Sequence, residues 1–251
     1  MDKKLIRGIL TIPSTPFHED GTIDLEGFKR VVAFCIDCGA HGLVYPVNAS
    51  EHTSLSDDER YTLTRALVKV TDGRIPTIVG VAAPCMENAA RHAAFARAVG
   101  ASAVIAMPPY VKTKEFTPET IFRYYQAISD AAKLPVFIQN YVPPIGTNLS
   151  CEFIHKLFCG IEYVQYLKEE TVPSTLKLTE LIEMSESYRG IVFGGSGCRY
   201  LIEEYKRGTA GNMPGCHVTD VCVALWNALE NGDDALAMKI YRDMAPLFFF
   251  E

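Results

Sequence analysis

Short apolar runs rich in β-branched and aromatic residues alternate along the chain with longer stretches whose apolar positions recur at helical spacing. The pattern predicts strands at Gly8–Ile12, Gly42–Pro46, Thr77–Val81, Ala103–Met107, Val136–Gln139, Tyr163–Leu167, Gly190–Phe193 and Ala210–Met213. Helices are predicted between them at Leu25–Cys38, Ser56–Val70, Asn88–Val99, Thr117–Ala132, Ser150–Leu157, Ser174–Met184, Cys198–Lys206 and Val218–Glu230, with a terminal helix at about 233–247. Ser56-Asp57-Asp58-Glu59 is a capping box, and Thr117 precedes Pro118 as a cap precedes the first helical residue. Gly39, Gly100 and Gly160 each follow a helical stretch and precede a strand, as C′ glycines do. Strand-then-helix units repeat without a composition break or a low-complexity linker. They predict an α/β fold, a TIM (β/α)8 barrel, as one domain over residues 1–251. An open doubly wound sheet is the alternative. It would usually carry a glycine-rich dinucleotide turn after its first strand, and this chain has none.

Composition narrows the function classes. The 251 residues suit one barrel, and 48% hydrophobic content supplies a large core. A net charge of -6 without a Lys/Arg cluster argues against nucleic acid and anionic membranes as partners. No apolar run approaches the roughly 18 residues of a membrane span. After Met1-Asp2-Lys3-Lys4 a short apolar patch is broken by Arg7 and Gly8, so no signal peptide is expected. The eight cysteines lie in predicted helices or loops of a chain too long to need staples, so free thiols in the cytoplasm are expected. Cys35-x-x-Cys38 has a metal or redox spacing, but it falls inside an amphipathic helix with no second pair, and core packing accounts for it.

In a parallel barrel the residues just after each strand share one rim, where active sites lie. That rim would carry Pro13-Ser14-Thr15-Pro16, then Asn48-Ala49-Ser50-Glu51-His52, then Pro108-Pro109-Tyr110, Gln139-Asn140, Lys168, Gly194-Gly195-Ser196 and finally Asn212 with Pro214-Gly215. A lysine at a strand end is often only a surface charge. With amides, hydroxyls, a carboxylate and close-approach glycines around it, Lys168 can instead attack a carbonyl as a Schiff-base nucleophile. The set suits a small 2-keto acid. No His/Asp/Glu trio is spaced as metal ligands, so no metal and no cofactor are expected. Gly194-Gly195-Ser196-Gly197 is the nearest thing to a phosphate cradle and is short for one.

These residues resemble the dihydrodipicolinate synthase / N-acetylneuraminate lyase family of class I, Schiff-base lyases, from Gly8 to the end of the chain. Thr15-Pro16-Phe17 with Gly21 and Asp24 is similar to the family's first loop. Asn48-Ala49-Ser50-Glu51 with Leu55-Ser56 sits at its Gly-Thr-Thr-Gly-Glu motif. Pro108-Pro109-Tyr110 sits at its Pro-Tyr-Tyr segment, and Gln139-Asn140 through Gly146 at its Tyr-Asn-x-Pro segment. Tyr166-Leu167-Lys168-Glu169 matches the Schiff-base lysine motif, and Gly194-Gly195 the Ser-Gly after strand seven. The departures are informative. The family's strand-five tyrosine is Gln139, its proton-relaying tyrosine after strand four falls at Val111, its carboxylate-binding Thr-Thr pair falls at Asn48 and Ala49, and its substrate arginine falls at Pro144. Dihydrodipicolinate synthase itself is therefore disfavoured. The Asn-x-Ser-Glu and Gln-Asn segments, Met107-Pro108-Pro109-Tyr110 and the Lys-x-Glu-Thr run Lys168–Thr171 resemble the 2-keto-3-deoxyarabonate (2-keto-3-deoxypentonate) dehydratase branch.

The resemblance implies a Schiff base on Lys168 and dehydration of a 2-keto-3-deoxy sugar acid such as 2-keto-3-deoxyarabonate. The alternatives are an aldolase joining or releasing pyruvate and an aldehyde, and a non-catalytic keto-acid-binding barrel. An amide does not titrate, so Glu51 is the candidate to replace the missing tyrosine, with Gln139 and Asn140 orienting substrate. Asn48 and Ser50 are candidates for holding the substrate carboxylate, with Tyr110, Gly195 and Ser196 as further binding residues. On a structural reading Glu51 caps locally, Gln139 fills the barrel, and Tyr110 and His52 only pack. The resemblance also implies a homotetramer or dimer and a C-terminal helical extension that here is short or missing. Phe248, Phe249 and Phe250 are then expected to pack on the barrel or on a neighbouring subunit.

Overall fold

The computed structural model describes residues 5–111, 116–142, 146–184 and 190–250. Pro144 and the first four residues, named above, lie outside these. The strands are β1 (Gly8–Thr11), β2 (Gly42–Tyr45), β3 (Thr77–Gly80), β4 (Ala103–Ala106), β5 (Val136–Asn140), β6 (Val164–Glu169), β7 (Ile191–Gly194) and β8 (Gly211–Asn212). The helices are α1 (Leu25–Asp37), α2 (Asp57–Thr71), α3 (Met86–Ala98), α4 (Pro118–Ala132), α5 (Cys151–Gly160), α6 (Ser174–Glu183), α7 (Leu201–Lys206), α8 (Thr219–Glu230) and α9 (Asp234–Phe250). Each strand pairs in parallel with the next, and β1 pairs with β8, so the sheet closes into the (β/α)8 barrel.

Local chemistry starts the helices where the pattern placed them. The Ser56 hydroxyl accepts from the Glu59 N–H at 3.3 Å, and the Ser56 N–H donates to Glu59 Oε2 at 2.8 Å, closing the capping box. Thr117 and Ser150 accept from the N–H groups of Thr120 and Phe153 in the same way.

The strands are buried on both faces, and the period of two divides their residues between two cores. One set, Leu10, Val44, Ile78, Ile105, Phe137, Tyr166 and Phe193, packs together as one cluster in the barrel interior. The Phe137 and Tyr166 rings stack with centroids 4.3 Å apart, and Phe193 leans on Phe137 at 5.6 Å. The other set, including Val104, Val136, Ile138, Leu167 and Val192, packs with α3–α6.

Most boundaries shift by a residue or two, and three differences from the pattern bear on the site. The sixth strand runs through Lys168 and Glu169, which pair with Gln139 and Asn140 of β5. The polar pair reads as a loop, yet its polar groups find partners inside the wall. The helix expected from Cys198 begins at Leu201, because Ser196, Gly197 and Cys198 hold φ of 52°, 60° and 65°, a left-handed run no α-helix contains. The eighth strand is only Gly211–Asn212. At the C-terminal end, Phe248 is buried beside Tyr241, Arg199 lies over the Phe249 ring at 5.3 Å, and Phe250 is 88% exposed. All eight cysteines are free thiols. Among the described residues no helix is long and apolar enough to cross a membrane.

Candidate active site

Strand alternation decides what faces the barrel mouth. Gln139 stands two residues above Phe137 and Lys168 two above Tyr166, so both extend the inward-facing rows and sit on the aromatic layer. Lys168 is only 3% exposed, and its Nζ lies 2.9 Å from Oε1 of Glu170. Gln139 Nε2 donates to the other oxygen of Glu170 at 2.7 Å, and the Ser196 N–H points at Oε1 from 3.4 Å. The Glu170 carboxylate is thus held by an ammonium, an amide and a backbone N–H, while its Oε1 faces the amine.

Two glycines make room for this. A Cβ on Gly195 would lie 2.4 Å from Cγ of Glu170, and one on Gly194 would lie 1.8 Å from Oε2 of Glu204. Glu204 has no accessible surface. It accepts from Ser174 Oγ and from Asn212 Nδ2, each at 2.9 Å. Burial pushes its acid up to about 7, with the nearby Glu170 charge adding to the effect. Gly194→Ala is expected to destabilise the protein by about 3 kcal/mol in equilibrium urea unfolding, because the new methyl meets a fully packed, hydrogen-bonded carboxyl.

The opposite strand parity builds the wall. Asn140 donates to Glu169 at 2.7 Å and accepts from the Leu149 N–H at 2.8 Å. Glu169 also accepts from the N–H of Thr171 at 2.7 Å and from its hydroxyl. Burial pushes the Glu169 acid upward, against these hydrogen bonds. The structure therefore does not bring Asn140 to Lys168. It ties β5 and β6 to the segment leading into α5.

The residues after β2 form a compact turn. Ser50 is buried, and its hydroxyl is engaged with both the N–H and the C=O of Val47, at 2.8 and 3.2 Å. Thr15 donates to the Ser50 carbonyl at 2.7 Å, which leaves its oxygen to accept from Tyr45 at 2.9 Å. Asn48 is half-buried, with its amide 3.2 Å from the Met107 sulfur. Glu51 closes the turn in the left-handed region at φ 58° and is exposed. Among the described residues its carboxylate makes no hydrogen bond or ion pair. The carboxylate at the amine is Glu170, not Glu51: the turn carries Glu51 outward, while Glu170 follows β6 directly. Tyr110 is half-buried and meets His52 edge-on at 5.4 Å. Burial and the nearby Arg60 charge hold the His52 imidazole neutral, with its acid lowered to about 4. Gly195 and Ser196 line the far side of Glu170.

Glu170 is the partner of Lys168 that position alone did not single out, although the Lys-x-Glu-Thr run contains it. Glu204 had no signal, since Glu203-Glu204 on a short helix looks like a solvated pair.

An amine and a carboxyl in contact at the C-terminal mouth of a parallel barrel lie where enzymes of this fold carry their active sites. The chain belongs to the dihydrodipicolinate synthetase family, whose model matches residues 5–249. It is 35% identical to the L-2-keto-3-deoxyarabonate dehydratase of Azospirillum brasilense, over 98% of this chain and 79% of that one. It is 29% identical to a probable 2-dehydro-3-deoxy-D-pentonate aldolase of Escherichia coli K12, over 97% of this chain and 81% of that one. A crystal structure of a putative dihydrodipicolinate synthetase from Pseudomonas aeruginosa superposes with a TM-score of 0.91 at 26% identity, over 98% of this chain and 84% of that one. Relatives are named as dehydratase, aldolase and synthase, and this chain is a lyase of that kind.

Proposed function

We propose that the protein is a Schiff-base dehydratase acting on a 2-keto-3-deoxy sugar acid, with 2-keto-3-deoxyarabonate as the model substrate. The observation that carries this reading is the buried Lys168–Glu170 contact with Gln139 on its other side. The resemblance puts a proton-handling tyrosine where Gln139 stands. An amide cannot take that role, and a carboxyl held by that amide against the reacting amine can. We therefore assign the proton work expected of Glu51 to Glu170. The name of the 35%-identical relative supports the same choice.

The reaction runs as follows. Lys168 passes a proton to Glu170 and its free amine attacks C2. Glu170 returns that proton to the carbinolamine hydroxyl, which leaves as water, and the resulting iminium acidifies C3. Glu170, as carboxylate, removes a C3 proton and forms the enamine. The enamine electron pair expels the C4 hydroxyl, which leaves as water with a proton from Glu170. Proton transfer from C5 to C3 of the unsaturated iminium then gives a C4–C5 enol, which ketonises to the C5 aldehyde, and water hydrolyses the iminium and restores Lys168. The substrate loses one water and keeps every carbon. Asn48 and Ser196 flank the mouth and are assigned to the substrate carboxylate and hydroxyls, with Tyr110 bounding the distal end.

The aldolase relative supports a second reading, in which the same iminium directs C3–C4 cleavage. Borohydride reduction in the presence of pyruvate or 2-keto-3-deoxyarabonate, followed by mass spectrometry, is expected to show an adduct on Lys168. Without reductant, 2-keto-3-deoxyarabonate is expected to yield a semialdehyde of unchanged carbon count. Pyruvate plus an aldehyde would make the protein an aldolase, and no adduct with either compound would leave a non-catalytic keto-acid-binding barrel.

A further inference from the structure

Glu204 takes no part in the steps above, yet its carboxyl lies directly behind the glycine pair that receives Glu170. Its side chain reaches from α7 to Ser174 at the start of α6 and to Asn212 on β8. Asn212 also donates to the Gly195 carbonyl at 3.1 Å. A carbonyl can only accept, so that bond fixes Asn212 with its NH2 toward Glu204, and Oε2 of Glu204 must accept. Ser174 is different, because a hydroxyl can donate or accept. An ionised Glu204 receives the Ser174 proton at Oε1, whereas a neutral Glu204 can give its own proton to Ser174 Oγ. Both charge states are therefore satisfied in one geometry. Among the described residues no ion pair includes Glu204. The ionisable groups facing it are Glu170 after β6, Glu203 on its own helix, Tyr241 on α9, and the Cys198 thiol, which donates to Asn212 at 3.5 Å.

We propose that Glu204 is a positioning residue whose switchable charge, held behind Gly194 and Gly195 by Ser174 and Asn212, sets how firmly Glu170 keeps the proton it delivers to the leaving hydroxyl. The inference rests on the assignment of that proton to Glu170. A like charge nearby favours the protonated form of a carboxyl. Burial brings the ionisation of Glu204 itself to about neutral pH.

The test is Glu204→Gln, read by pH-rate profiles and by carboxyl NMR titration of glutamate-labelled protein. With 2-keto-3-deoxyarabonate the alkaline limb of kcat is expected to move down by about one pH unit. That makes kcat about tenfold lower on the alkaline side, with kcat near pH 6 and KM within about twofold. In the NMR titration one glutamate resonance changing near neutrality is expected to vanish in Glu204→Gln, and the Glu170 resonance to titrate at lower pH. In Ser174→Ala, which removes one donor to the anion, the Glu204 titration is expected to move up. This second variant keeps the question answerable if the first does not fold. An adduct on Lys168 with an unmoved pH profile and an unmoved Glu170 resonance would overturn the proposal. Absence of adduct and turnover in the wild type would overturn the proposed function instead, and the NMR titration would still decide whether Glu204 and Glu170 are coupled.

Discussion

Lys168→Met loses the borohydride-trapped adduct, and turnover falls by a factor on the order of 10⁴ or more, since Lys168 is the amine in contact with Glu170. The substitution has a second effect that a surface lysine would not show. It leaves Glu170 buried, with one oxygen facing a thioether instead of an ammonium. Removing one partner of a buried pair typically costs about 3–5 kcal/mol, mostly as the penalty for the charge left behind. Urea unfolding near pH 7 is expected to show a loss of that size. Lys168→Met combined with Glu170→Gln should recover most of the stability and none of the activity, because the remaining side chains are neutral and Gln139 can still hydrogen-bond to the new amide. A double variant as unstable as the single one would mean that packing, not the ion pair, governs this position.

Glu170→Gln separates the two halves of the chemistry. The amine remains and the adduct with pyruvate is still trapped, but nothing delivers a proton to the leaving hydroxyl. Turnover of a 2-keto-3-deoxy acid is expected to fall by about 10²–10⁴, the usual contribution of a positioned acid–base group. KM should change little, since the substrate contacts assigned to Asn48 and Ser196 are untouched. Steady-state kinetics beside adduct trapping give both numbers. Turnover within about twofold of the wild type would move the proton work elsewhere, with Glu51 the next candidate.

Much of the barrel was legible in the amino-acid pattern, because apolar period and capping chemistry are local. Ser56 and Glu59 close the predicted box, and Thr117 caps the predicted helix. What local pattern could not provide was the partner of a polar residue. Lys168 and Glu169 looked like the end of a strand, and only the pairing with Gln139 and Asn140 shows that the strand continues. The same extension settles Asn140: with Gln139 facing inward, its neighbour must face the wall. Glu51 and Glu170 are equally plausible acids in one dimension. They part company because the turn after β2 carries one outward in a left-handed conformation, while a missing Cβ at Gly195 lets the other lie back against the loop after β7. Glu204 was invisible for a related reason, since its burial is conferred by Gly194, Ser174 and Asn212 from three other elements.

The two parities of β5 and β6 have a consequence for how this enzyme could be altered. The residues assigned above to the substrate lie on rows and turns distinct from Asn140, Glu169, Thr171 and Leu149, which brace one another behind the sheet. Laboratory evolution can therefore randomise Asn48, Tyr110 and Ser196 together without drawing on that bracing. Libraries that include Asn140 should instead be dominated by misfolded members. Under the proposed function, the mouth can explore sugar acids of different length while the scaffold beneath it stays the same protein.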